Sequence, residues 1–556
     1  MQSRKFKFPV ILDSVILLAA VAVSALPYVL NLGFYSDDWY NLTVLWQKST
    51  SGIAGQIHKL YQADHTMMQR PVQALYFATA FKLFGMHAVP YHLLNITAIA
   101  AATVTLYVAG GELFGERRLA FVIALCFGLM PHYTSDRFWF TMQHANLSAA
   151  FAFLGTWSIS RGTHGNAVRP AKWFILGAAL FTLSFLSYEV MLGWIVASIV
   201  LVTGRSYMAN RKAMEPQRRL RGILLVVVPL IIVGLLKIAS QRYISTHHHF
   251  FENLALHLRD AIAQAIEFNF WSFGLKLPML IATLLRHSAL DWNSAASAGL
   301  VGVIAIAYLW RNFDSGSIPN PWGCVRLALL GLAVFGLGYA LFIAVPPETF
   351  AFTSAGLDNR VTIGAAPGAA CVLVALAALA CAPVRSELWR VRCFSVLMGL
   401  VCAANCLVID GIASYWIDAA SQQRHILKSL VADSAGIPSG SEVLLDGFCR
   451  YSGPGFIFEA DGDATGAVQI ALNNPSIKSD VISPDVHFDG TAVDTTYYGA
   501  PEQRYPYGRQ LFIYDVRSRT ITNLSSQSDA QNYFQRTDRS SGKCPAGRDG
   551  NGVDIF

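Results

Sequence analysis

Two carboxylates stand side by side in "GFYSDDWYNL", residues 33–42, directly after the first long apolar run of the chain. An ionisable group at the edge of a bilayer is costly unless paired or wetted, so Asp37 and Asp38 read as residues kept for a task. Adjacent carboxylates repel, which raises the proton affinity of one and suits it to act as a general base. The plainer reading is an N-cap at Ser36 or Asp37, where a short polar side chain satisfies free backbone N–H groups. Arg360 sits at the mouth of a late apolar run. A guanidinium there can grip a phosphate through two parallel hydrogen bonds, or simply snorkel to the interface. Arg70, Arg137, His144 and Glu189 lie in or beside the turns between other runs. His92 and Asn95 are one helical turn apart and serve either an interhelical hydrogen bond or a substrate contact. The "THHH" run at 246–249 raises a metal hypothesis. Consecutive histidines diverge on a helix and rarely complete one site, so an exposed loop is the favoured reading. No cofactor is assigned, and a divalent metal is conceivable without being indicated.

The elements that must position these groups are membrane helices. Of 556 residues, 54% are hydrophobic and only 14% charged, against roughly 25% charged in soluble domains. Apolar runs repeat from residue 10 to about 412, and a run of about 20 residues spans the hydrocarbon as a helix. Spans are expected near 10–32, 90–113, 119–136, 144–160, 173–188, 190–204, 222–240, 296–310, 326–345, 361–382 and 393–412. The first run is too long for the core of a signal peptide, which favours an uncleaved span. Alternate connections are basic, the 204–222 loop most of all, and basic loops face the cytoplasm. A cytoplasmic N-terminus and eleven spans put the C-terminal segment outside. The long segments 33–89 and 241–295 then face outward too, with aromatic stretches suited to interfacial helices. The net charge of +7 resides mainly in inner loops, which indicates orientation and anionic-lipid contact, not nucleic acid.

The expected organisation is a polytopic α-helical membrane domain, 1–415, followed by a small extracytoplasmic α/β or β-rich domain, 416–556. Seven cysteines lie in spans or at their inner ends, without metal-ligand spacing. Cys449 and Cys544 bracket the C-terminal domain and form a disulfide candidate in an oxidising compartment.

Several segments together resemble the GT-C superfamily of membrane glycosyltransferases, in particular protein O-mannosyltransferases and bacterial enzymes that use polyprenyl-phosphate sugars. The Asp37–Asp38 pair follows the first span, and "QRPVQALYFATAFKLFGMHAVPYHLLNI" leads into the second. "LMPHYTSDRFWFTMQHANLSAAFAFLG" at 129–155 resembles the family's passage between spans three and four. "FLSYEVMLGW" resembles its Lys-Glu turn, with Tyr188 where Lys is usual, and "LDNRVTIGAAPG" its Arg-bearing entry into a late span. The likeness covers residues 30–370 and leaves the C-terminal domain out. It implies a multi-pass protein of the bacterial inner membrane that moves a sugar from a polyprenyl phosphate to an outward-facing hydroxyl of a glycan, lipid or protein, usually with inversion. Asp37 is then the expected base, with Asp38 tuning it, binding the acceptor or ligating a metal. Arg360, Arg70 and Arg137 are expected at the donor phosphate, with Glu189, His144 and His92 in support. A polyprenyl-linked sugar transporter or flippase, and a non-catalytic glycan-binding scaffold, are the rival readings. Apolar span centres disfavour transport, and the gathering of Asp37, Glu189 and Arg360 on one predicted side disfavours a scaffold.

Overall fold

The computed structural model describes residues 7–47, 52–163, 169–208, 216–244, 254–286, 291–343, 356–482, 486–497 and 500–536. The first helix, α1 (Lys7–Ala25), is followed by four helices outside the long spans: α2 (Asp37–Trp46), α3 (Ile53–Ala63), α4 (His65–Gln69) and α5 (Pro71–Phe84). Proline at the first position of α5 suits a helix start, where its missing N–H has no partner to lose. The bundle continues with α6 (Ala88–Phe114), α7 (Arg117–Leu129), the short α8 (Ser135–Phe138), α9 (Gln143–Thr163) and α10 (Pro170–Ser187). Next come α11 (Leu192–Met208), α12 (Pro216–Ile244), α13 (Leu254–Ile266) and α14 (Leu277–Arg286). The membrane part closes with α15 (Trp292–Asn312), α16 (Pro321–Ile343), α17 (Ala366–Cys381) and α18 (Glu387–Asp433).

Each of the eleven expected spans falls on a helix, but the count of eleven is not borne out by length and composition. Among the described residues six helices, α6, α10, α12, α15, α16 and α18, are long and apolar enough to cross a membrane. A seventh arises if the segment from Leu258 to Arg286, bent by 71°, is one broken span. The chain is a multi-pass membrane protein on these grounds. The apolar stretches of α1 and α17 are shorter. α7 has only 13 residues, because Met130 and Pro131 leave the helix where the span was expected to continue to 136.

α18 runs unbroken for 47 residues, or about 70 Å, through the expected boundary at 415–416. Its C-terminal half enters the core of the C-terminal domain. Trp416, Ala420, Ile426 and Leu430 are buried there against Val443, Phe456 and Val468. The domain holds β1 (Glu442–Asp446), β2 (Tyr451–Ser452), β3 (Gly455–Phe456), α19 (Asp461–Ala471), β4 (Lys478–Val481) and β5 (His487–Phe488). It ends with β6 (Ala492–Tyr497), β7 (Ala500–Pro506), β8 (Leu511–Asp515), β9 (Thr520–Asn523) and α20 (Gln527–Arg536). A four-stranded sheet has the order β4-β1-β8-β9. β1 pairs in parallel with both neighbours, Leu444 standing opposite Asp480 and Ile513, while β8 and β9 are antiparallel. Parallel neighbours need a crossover, and α19 lies between β1 and β4, so the domain is α/β.

Candidate active site

The Asp pair sits in a turn that sends its two carboxylates in different directions. Asp38 N–H donates to the Tyr35 carbonyl at 2.9 Å, closing a four-residue turn. Ser36 occupies φ 44°, ψ −122°, the position of a type II′ turn that glycine usually takes. Asp38 is fully buried. One of its oxygens accepts from the Tyr35 N–H at 3.0 Å, the other from Thr141 N–H at 2.7 Å and Thr141 Oγ1 at 2.6 Å. Burial pushes its carboxyl up to about 7, and these hydrogen bonds oppose the rise. Asp38 is therefore a tie between the turn and the 139–142 segment.

Asp37 instead opens into a cavity of about 370 Å³, shared with Ser36, Tyr40, Asn41, Asp64, Glu459 and Asp461. Its carboxyl reaches solvent through this cavity yet is ringed by protein. Desolvation pushes it up to about 6; the Arg360 and Arg70 charges work against that, while Glu459 and Asp64 add to it. A carboxyl raised toward neutrality can accept a proton and release it again under ordinary conditions.

A cationic cluster stands nearby. Arg70 Nη2 lies 2.6 Å from Glu189 Oε1, and its guanidinium stacks 4.5 Å from the Tyr188 ring centre. Lys237 on α12 completes the group, with Nζ 3.1 Å from Glu189 Oε2 and 2.6 Å from the Phe185 carbonyl. Burial pushes the Glu189 carboxyl up, but the Arg70 and Lys237 charges overcome it and hold the carboxyl well below its usual range. Glu189 thus receives an ammonium from another helix. His144 packs edge-on against Tyr188 at 4.5 Å and donates from Nδ1 to the Thr141 carbonyl. Its buried Nε2 has no hydrogen-bond partner in the structure.

Arg360 is brought in by Asn359. The Asn359 amide donates to the His132 carbonyl at 2.8 Å and accepts from Ser135 N–H and Thr134 Oγ1 at 3.2 Å each. This docks the 357–364 turn on the 131–138 segment and sets the Arg360 guanidinium 5.9 Å from the Trp139 ring centre. Arg360 is close enough to act electrostatically on Asp37, Tyr188 and His144.

Of the residues singled out from sequence, Asp37, Arg360, Arg70, Glu189 and His144 thus share one neighbourhood. Arg137 does not face it: the side chain is fully buried and donates to the Gly128 and Met130 carbonyls. His92 Nε2 meets the Gly33 carbonyl at 2.7 Å. Asn95 donates to the Asp136 and Arg137 carbonyls, and Asn146 donates to Asn95. His92 and Asn95 both serve helix-to-loop bonding. Cys449 is disulfide-bonded, the seven cysteines of the membrane part are free, and Cys544 lies outside the described residues. The 246–249 run does too; among the described residues no group of His, Cys, Asp and Glu is arranged to hold a metal.

Thr141, Asn359, Lys237 and Glu459 were missed. The first two lie inside the quoted segments 129–155 and 357–368 but were not singled out there. Lys237 had a signal, a charge near the end of an apolar run, which the membrane argument singles out elsewhere. Glu459 lies in a segment, "EADGDATG", that reads as a polar turn.

No family model matches the chain, and no curated protein matches it. Among solved structures it is similar to an oligosaccharyltransferase from Archaeoglobus fulgidus in complex with zinc and sulfate, at TM-score 0.40 and 13% identity over 83% of this chain. The match spans 61% of that protein's length, less than two thirds. It is also similar to ArnT from Cupriavidus metallidurans bound to undecaprenyl phosphate, at TM-score 0.35 and 12% identity, over 84% of this chain and 85% of that one.

Proposed function

We propose that this chain is an integral-membrane glycosyltransferase that moves one sugar from a polyprenyl-phosphate donor to an acceptor hydroxyl on the extracytoplasmic side of a bacterial inner membrane. The observation that carries the reading is the pairing of an accessible, proton-ready carboxylate, Asp37, with cations within its electrostatic reach, Arg360 and Arg70. Asp37 takes the proton of the acceptor hydroxyl as the acceptor oxygen bonds to the anomeric carbon. The bond from that carbon to the phosphate oxygen breaks, and its electron pair leaves with the polyprenyl phosphate. A single displacement with one carboxylate base inverts the anomeric centre. Arg360 meets the negative charge growing on the leaving phosphate, where a preplaced cation is worth most. Arg70 and Lys237, held by Glu189, set the potential around it. The fixed turn and the docked 357–364 segment align the two reactants.

The test compares cell-surface glycans and glycoproteins by mass analysis in cells with the parent protein, with none, and with Asp37→Asn. The expected result is a glycan mass increment present with the parent and absent in both other cases, while Asp37→Asn accumulates normally in the membrane. An unaltered product in the Asp37→Asn cells would refute the base assignment.

A further inference from the structure

The C-terminal domain places Glu459 against the turn that carries Asp37. Glu459 is only 4% exposed. One carboxylate oxygen accepts from Ser36 Oγ at 2.9 Å, the other from Tyr451 O–H at 3.0 Å. Its backbone is locked as well. The Asp463 carboxylate accepts from the N–H groups of Glu459, Ala460 and Ala464 at 2.7, 2.9 and 2.8 Å. The Arg450 guanidinium donates to the Glu459 carbonyl and to those of Val481 and Thr496. The partner it holds, Ser36, has the positive φ that favours glycine. Here the side chain supplies what glycine lacks, a hydroxyl that fastens the turn to the domain. Three further contacts fix the same interface: Gln47 donates to Gln469 at 2.8 Å, Tyr35 O–H donates to the Trp416 carbonyl at 2.8 Å, and Gly466 lies against the backbone of Trp39.

We infer that Glu459 is a positioning residue for Asp37, fixing its turn through Ser36 and holding a negative charge beside it, so that the C-terminal domain completes the catalytic centre. The inference rests on the reading of Asp37 as the base. The charged groups around Asp37 come from every element at the cavity: Asp64 between α3 and α4, Arg70 before α5, Arg360, Glu459, and Asp461 and Asp463 on α19, with Asp38 on its own helix turned away toward Thr141. Of these acids Glu459 is the one bonded to the residue next to Asp37. Its negative charge favours the protonated form of Asp37.

The experiment titrates Asp37 directly in the full-length protein in lipid nanodiscs. A water-soluble carbodiimide adds to protonated carboxyls, glycine ethyl ester traps the adduct as an amide, and peptide mass spectrometry reads conversion at Asp37 from about pH 4 to about pH 8. Conversion is normalised to surface carboxyls of the same sample. The parent is expected to titrate well above the ordinary carboxylate value of about 4. Glu459→Gln is expected to lower that midpoint by about 0.5 to 1 unit, as removal of a near like charge should. An unmoved or raised midpoint overturns the inference. Should Glu459→Gln fail to fold, Ser36→Gly takes its place, since glycine accepts the turn and only the hydroxyl is lost. A smaller downward shift is then expected, and none overturns the inference. A parent midpoint at the ordinary value overturns it without any variant. The readout uses neither donor nor acceptor, so its failure is distinct from failure of the transferase reading, which the glycan comparison decides.

Discussion

Asp37 and Asp38 are chemically identical neighbours with opposite employment, and substitution separates them. Asp38→Ala strips the partner from two buried backbone N–H groups and from the Thr141 hydroxyl. Leaving such donors unsatisfied costs about 1–3 kcal/mol each when buried. Thermal unfolding of the purified variant is expected to show a clear fall in Tm, or no folded protein at all. Asp37→Asn, facing a cavity, is expected to unfold within a degree or two of the parent. The same residue sets a pH limb. A base must be unprotonated to work, and Asp37 is pushed up to about 6, so transfer should fall as pH drops through about that value. A rate that stays flat well below it would assign the proton to another group. Sequence alone could pick out this dipeptide, because charge at the membrane edge is conspicuous. It could not say which acid faces the cavity, since that follows from one positive φ at Ser36. Nor could it separate Arg137 from Arg360, because both are arginines beside turns and only the packing of 131–138 buries the first.

At the scale of elements, two contacts carry the site. The first is the approach of α19 to α2. A Cβ on Gly466 would fall 2.7 Å from the Trp39 carbonyl oxygen and 2.8 Å from Thr43 Oγ1, closer than such atoms approach. Gly466→Leu is expected to push α19 off α2, with loss of transfer and faster proteolysis of the C-terminal domain, while the membrane part stays protected. Equal protease resistance in parent and variant would show that the interface tolerates the side chain. The second contact is Glu189 between Arg70 and Lys237. Removing one partner from a fully buried ion pair costs about 3–5 kcal/mol. Glu189 retains 30% side-chain exposure, so Glu189→Gln should destabilise by a smaller amount, about 2 kcal/mol, read as a lowered thermal midpoint in detergent. Lys237→Met should cost less, because Arg70 still neutralises the acid. The Lys-Glu turn of the resemblance was legible as a motif with a missing residue. Lys237 as a partner of Glu189 was not, because it stands in another helix, and one chain does not announce which helices adjoin.

At the scale of the molecule, each apolar run expected to span the membrane falls on a helix, because a bilayer demands long apolar stretches and closed backbone hydrogen bonding. The count proved less legible. Helices packed inside the bundle, such as α9 with its buried serines and asparagine, need no apolar exterior and so read ambiguously. The C-terminal domain was legible only in outline, its parallel sheet being set by long-range pairings between residues 442–446, 478–481 and 511–515. Its boundary was expected at residues 415–416, yet the structure has an unbroken helix there.

That continuity makes α18 a gauge of angular phase between membrane and domain. Each residue inserted into it turns everything beyond by about 100° and advances it about 1.5 Å. One alanine inserted after Tyr415 would swing the Glu459 segment away from Ser36. Seven would nearly restore the heading, about 20° short, but lift the domain by about 10 Å. Both insertions should abolish transfer even though no residue of the site is altered.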